Sequence, residues 1–144
     1  MKKILIIIFI SIFLVSCQND VITTALVTTE DITLITFEER DYSEFLNITI
    51  DNPEDQLTQV PGTYYIYFYG SHCIPCGLIK NEVLSKIELL VNDKVYLVEA
   101  SSSSDINDDI DIEGTPSLVL VTNNQVTQIH ENGINVLEII DSLT

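Results

Sequence analysis

Residues 63–76 read Thr63-Tyr64-Tyr65-Ile66-Tyr67-Phe68-Tyr69-Gly70-Ser71-His72-Cys73-Ile74-Pro75-Cys76. From Tyr64 to Tyr69 every position is apolar or aromatic, the pattern of a central strand covered on both faces. Beyond the cysteines, Ile79, Val83, Ile87 and Leu90 recur at helical spacing with Leu84 and Val91 beside them. Glu82 and Lys86 fall four apart on the outer face, so the spacing predicts an amphipathic helix from about Ile74 to Leu90, ended by Asn92-Asp93. The two thiols thus open a helix. There, unpaired backbone N–H groups and the positive end of the helix dipole favour a thiolate, the form that attacks disulfides. Cys73 is the expected nucleophile. Cys76, one turn further in, is placed to attack a mixed disulfide on Cys73 and leave an internal Cys73–Cys76 disulfide. Pro75 suits the first helical turn, where its missing donor costs nothing.

Outward from this stretch, Ile32 to Phe37 is expected to be a strand and Asp41 to Leu46 a short helix with Asp41 as N-cap. Residues 51–62, with Pro53 and Pro61, read as a loop. Val95 to Glu99 is a second buried strand, and 101–113 a polar, acidic segment with room for one helical turn. Ser117 to Thr122 and Gln125 to Ile129 flank Asn123-Asn124 and predict a hairpin, because Asn tolerates the positive φ of a tight turn. Asn135 to Leu143 is expected to be a closing helix with Val136, Leu137, Ile139 and Ile140 inward. The order is β-α-β-α-β and then β-β-α, an α/β fold.

The N-terminus sets an address. Lys2 and Lys3 precede an apolar run from Ile4 to Val15, and Leu14-Val15-Ser16-Cys17 closes it. This resembles a bacterial lipoprotein signal peptide, with residues 1–16 removed and Cys17 lipidated. The run is shorter than the roughly 20 residues a membrane-crossing helix needs. Residues 17–31 are then a tether and 32–144 the domain. Once residues 1–16 leave, Arg40, Lys80, Lys86 and Lys94 stand against 22 acidic residues, a formal balance of −18. Such a chain repels phosphate backbones and anionic lipid, which argues against nucleic-acid binding and leaves attachment to the lipid. An extracytoplasmic, membrane-anchored lipoprotein is the expectation. With Cys17 acylated, only Cys73 and Cys76 remain as thiols, and outside the cytoplasm a disulfide between them can form and persist. Closing so small a loop adds little stability, so the pair reads as reactive and not as a staple.

A strand, Cys73-Ile74-Pro75-Cys76, an amphipathic helix, a strand, and then Gly114-Thr115-Pro116-Ser117 opening a hairpin before a last helix resembles the thioredoxin family over roughly residues 32–144. The resemblance implies a central mixed β-sheet flanked by helices and a thiol–disulfide oxidoreductase acting on protein disulfides. It implies a cis bond before Pro116 and a substrate-docking role for Thr115 and Pro116. Two positions depart from the family pattern: His72 stands where a tryptophan usually precedes the first cysteine, and Tyr67 where a buried acidic residue assists proton transfer. Both are candidate tuning residues alongside Pro75. The Xaa-Pro dipeptide between the cysteines resembles the reductant side of the family, including membrane-tethered reductases.

No flavin, nicotinamide or phosphate-binding motif is visible, so redox equivalents would come from a partner protein, with no cofactor beyond the disulfide and the lipid on Cys17. A monomer is expected. A zinc set of Cys73, Cys76, His72 and His130 fails on spacing, and no metal is expected. Residues 105–109 begin like a calcium loop, but Ile110 and Pro116 fall where Gly and Glu are needed. Two alternatives stay open: a disulfide isomerase, and a thioredoxin-like binding, chaperone or export-accessory lipoprotein whose disulfide is not catalytic.

Overall fold

The computed structural model describes residues 39–90 and 94–144. The segments expected to be signal and tether, Cys17, the strand expected at 32–37, Val91 and Asn92-Asp93 lie outside the described residues.

Among the described residues, four strands form one sheet: β1 (Thr63–Tyr69), β2 (Val95–Glu99), β3 (Ser117–Thr122) and β4 (Gln125–Glu131). Their order is β2-β1-β3-β4, with β1 parallel to β2 and antiparallel to β3, and β3 antiparallel to β4. The sheet is therefore mixed. Helices α1 (Ile74–Leu89) and α2 (Gly133–Leu143) pack against each other.

The period-2 geometry of β1 explains how one strand serves two cores. Tyr67 and Tyr69 join Cys76, Val83, Leu84, Val136 and Ile140 in the cluster beneath the helices. Tyr64, Ile66 and Phe68 join Leu57, Ile110 and Val119 on the opposite face, which loops cover instead of helices. A continuous run of large side chains is what such a two-sided strand needs.

Local signals place most boundaries. Asp41 caps a 3₁₀ helix, Tyr42–Ile48, accepting from the Ser43 N–H at 2.9 Å while Glu44 accepts the Asp41 N–H at 2.7 Å. That reciprocal box holds the entry to the helix. Thr49 and Ile50 then reach the outer edge of β2, where the Ile50 N–H donates to the Leu97 carbonyl at 2.8 Å. The hairpin turns on Asn123 (φ 50°) and Asn124 (φ 64°), both left-handed, as a two-residue turn between twisted strands requires. β4 runs two residues beyond the expected Ile129, and α2 starts at Gly133 instead of Asn135. Asn132, at φ 69°, turns the chain, and its side chain accepts the Asn135 N–H at 3.1 Å.

The loops on the helix-free face are pinned by one buried amide. Gln56 is fully buried, and its Nε2 donates to the Asp105 carbonyl at 2.6 Å while its Oε1 accepts the Asn107 N–H at 2.8 Å. The Tyr64 hydroxyl donates to the Gln56 carbonyl at 2.7 Å. Segment 51–62 is thereby tied to the segment that leads to Thr115. Asp105 also closes a short 3₁₀ turn, Ser103–Asp105.

Candidate active site

β1 ends at Tyr69, and a tight turn follows in which the Cys73 N–H donates to the Gly70 carbonyl at 3.1 Å. Cys73 is the N-cap of α1, with extended backbone (φ −82°, ψ 106°), and Pro75 lies in the first turn. The two sulfurs form a disulfide, with Cα atoms 5.2 Å apart. The Cys76 N–H donates to the Cys73 sulfur at 3.1 Å. A helix N-terminus thus aims a donor at that sulfur, an interaction that favours negative charge there. Burial separates the two thiols: Cys76 is 1% exposed and belongs to the core beneath the helices, whereas Cys73 is half-buried at its edge.

The Thr115–Pro116 bond is cis, and the loop it shapes brings the Thr115 carbonyl 3.3 Å from the Cys73 sulfur. Pro116 is buried and Thr115 half-buried. Three further contacts hold this loop. Ser117 Oγ donates to the Gly114 carbonyl at 2.6 Å, the Glu113 N–H donates to the Glu131 carboxylate at 2.6 Å, and the Asn132 N–H donates to the Pro116 carbonyl at 3.1 Å.

His72 is exposed, and its Nδ1 lies 3.1 Å from the Ser71 hydroxyl. Its hydrogen-bond partner is its neighbour in the turn. Tyr67 is fully buried in the cluster that contains Cys76. The Tyr64 hydroxyl has the Gln56 carbonyl as its partner, and among the described residues Tyr67 has no comparable acceptor. Its hydroxyl faces that of Tyr42, and neither makes a well-formed hydrogen bond among the described residues. Burial, with Tyr42 adding to it, pushes Tyr67 above the ordinary tyrosine range. It stays neutral at any physiological pH, so it differs from a carboxylate in kind as well as in size. Burial first, and then the charge of Glu99, pushes Tyr69 up to about 12. Tyr69 stacks on Tyr42 with ring centroids 3.6 Å apart.

Around the sulfurs, Ile74 and Leu78 are 80% and 82% exposed, one helical turn apart. Among the described residues no group of three or more His, Cys, Asp or Glu is arranged to hold a metal, and no helix is long and apolar enough to cross a membrane. His130, on β4, pairs with Gln128 instead of approaching the cysteines. The sequence reading missed the Gln56 clip, the Glu131 latch and the crowding at Gly70. Only the last left a trace, as a glycine at the end of a buried strand.

The sequence profile described as Thioredoxin matches residues 44–144. Comparison with curated proteins finds no match. Among solved structures, a thioredoxin from Malassezia sympodialis is 22% identical, with 66% of this chain and 90% of that one covered and a TM-score of 0.54. Oxidised mitochondrial thioredoxin 3 from Saccharomyces cerevisiae is 17% identical, covering 66% and 91% with a TM-score of 0.53. Plasmodium falciparum thioredoxin is 12% identical, covering 67% and 98% with a TM-score of 0.56. At these identities the structural likeness carries the fold. The profile carries the family, since it spans the sheet, both helices, the paired cysteines and the Thr115–Pro116 loop: this chain belongs to the thioredoxin family of thiol–disulfide oxidoreductases.

Proposed function

We propose that the chain is an extracytoplasmic, lipid-anchored reductant of protein disulfides, held to the membrane through acylated Cys17, with residues 1–16 a signal, 17–31 a tether and 32–144 the domain. The observation that carries the chemistry is the inequality of the two sulfurs, one half-buried at a helix N-cap and the other enclosed. In the reduced state the Cys73 thiolate attacks one sulfur of a substrate disulfide, forming a mixed disulfide and expelling the other sulfur as a thiolate that takes up a proton. Cys76, having lost its proton, then attacks the Cys73 sulfur. The substrate's second thiolate leaves, and the Cys73–Cys76 disulfide remains. Two electrons pass to the substrate, and a partner protein with a reducing thiol pair restores the dithiol. Thr115 and Pro116 flank the exchange, and exposed Ile74 and Leu78 offer apolar contact to a protein substrate.

The anchor rests on Lys2-Lys3, the apolar run and Leu14-Val15-Ser16-Cys17, and the reductant assignment on the Ile74-Pro75 dipeptide between the cysteines. Two experiments test these separately. In cells, Cys17→Ser should abolish incorporation of labelled fatty acid and release the protein from the membrane fraction; retention of label would sink the anchor. In vitro, Cys73→Ser should abolish reduction of a model protein disulfide, and Cys76→Ser should accumulate a mixed disulfide on Cys73. Turnover surviving the Cys73 substitution would refute the mechanism, and a domain that oxidises dithiols far faster than it reduces disulfides would reverse the proposed direction.

A further inference from the structure

Gly70 is followed by the turn that delivers Cys73, and its φ lies outside the left-handed region. Any residue could adopt that backbone, so the glycine is not there for its conformational freedom. Space is the issue. A Cβ at this position would lie 3.3 Å from the Cys73 Cβ, 3.4 Å from the Thr115 Oγ1 and 3.7 Å from the Ala100 carbonyl oxygen. The first two distances are at or near the limit of ordinary carbon and oxygen packing, and they involve the two residues that meet at the sulfur. By contrast, Gly77, also on α1, has nothing within 4 Å of its would-be Cβ.

The Cys73 sulfur lies between two opposed influences. The Cys76 N–H, at 3.1 Å, favours the thiolate. The Thr115 carbonyl oxygen, at 3.3 Å, can accept a hydrogen bond from the neutral thiol and repels its anion. We propose that Gly70 is a positioning residue for thiol–disulfide exchange: by lacking a Cβ it lets Cys73 and Thr115 close on each other, so that the Thr115 carbonyl restrains ionisation of the attacking thiol. The inference concerns the family's reaction in either direction and does not depend on the lipid anchor or on the direction of electron flow.

The consequence has a sign. Gly70→Ala forces Cys73 and Thr115 apart by a few tenths of an ångström, weakens the contact with the carbonyl and leaves the Cys76 N–H in place. A hydrogen bond of ordinary net strength corresponds to a factor of about three to ten, so the Cys73 dissociation constant should rise by up to that factor. At a pH where Cys73 is protonated, the equilibrium with dithiothreitol should move toward the disulfide by the same factor, because the neutral dithiol has lost that hydrogen bond.

The test uses the full-length protein in detergent, with thiolate absorbance titrated against pH and the dithiol–disulfide equilibrium measured against dithiothreitol. Gly70→Ala should shift both readings in the stated direction, and Gly77→Ala should shift neither. A folded Gly70→Ala protein with both readings within twofold of wild type overturns the proposal, as does a shift toward weaker ionisation. Should that variant not fold, Gly70→Ala combined with Thr115→Ala removes the Oγ1 that the new methyl meets. Compared with Thr115→Ala alone, the pair should still show the stronger ionisation, and no difference between them overturns the assignment.

Discussion

Replacing Gln56 with leucine probes how firmly the loops behind the sheet are held. The side chain is fully buried and makes two hydrogen bonds, donating to the Asp105 carbonyl and accepting the Asn107 N–H. Leucine has similar bulk and no polar atoms, so both backbone groups lose their partner while the apolar environment gains little. Each stranded group costs roughly 1–3 kcal/mol, so about 4 kcal/mol for the two at mid-range, and burying the leucine side chain returns about 1–2 kcal/mol, leaving a net loss centred on about 2.5 kcal/mol. For a domain of this size, each kcal/mol corresponds to about 4 °C in melting temperature, so the midpoint should fall by roughly 10 °C. Urea unfolding followed by far-UV circular dichroism measures the loss directly. The segment that Gln56 anchors continues to Thr115, so KM for a protein disulfide should rise more than kcat falls. A stability loss below about 0.5 kcal/mol would refute the reasoning, because the freed groups would then be finding water at no cost.

Other perturbations follow from single features. Asn124→Ala places an ordinary side chain at φ 64° and should cost about 1–2 kcal/mol in thermal or urea unfolding, whereas Asn124→Gly should cost nothing or stabilise. Asn132 combines a positive φ with the N-cap of α2, so Asn132→Ala should lose about 1–2 kcal/mol and Asn132→Gly appreciably less; equal losses would show that the cap matters and the backbone angle does not. Tyr69 is raised to about 12 in the folded protein against an ordinary value of 10. Between those values the unfolded chain has lost a proton that the folded one keeps. Stability should therefore be intact below pH 10 and decline as pH rises toward 12, by up to about 2–3 kcal/mol from this residue. Tyr69→Phe should flatten that decline in unfolding measured across the interval; an unchanged slope would assign the decline to Tyr64, Tyr67 and Tyr42, which burial raises in the same direction.

Much of the fold was legible because its signals are local. The run from Tyr64 to Tyr69 has no polar position, which only a strand with two covered faces allows, and the structure supplies a core on each side. Asp41 as a cap and Asn123-Asn124 as a turn rest on side-chain and backbone chemistry confined to a few residues. What local pattern could not show is who meets whom. Gln56 sits in a loop of polar residues and gives no hint that it bridges to Asp105 and Asn107, 49 and 51 positions away. The same holds for Glu131, which looks like a strand-end charge until its carboxylate is found on the Glu113 N–H. Tyr67 was correctly placed in the core, but its hydroxyl's poor pairing depends on Tyr42, from a different element.

The burial of Cys76 has a consequence for kinetics. An external thiol or disulfide can reach the pair only at Cys73, since the other sulfur is enclosed by the core. Whichever way electrons flow, the donor and the acceptor in thiol–disulfide exchange must therefore use the same atom, and cannot occupy it together. Steady-state rates should follow an alternating, two-stroke scheme with parallel double-reciprocal lines, and intersecting lines would mean that the two partners reach the pair by separate routes.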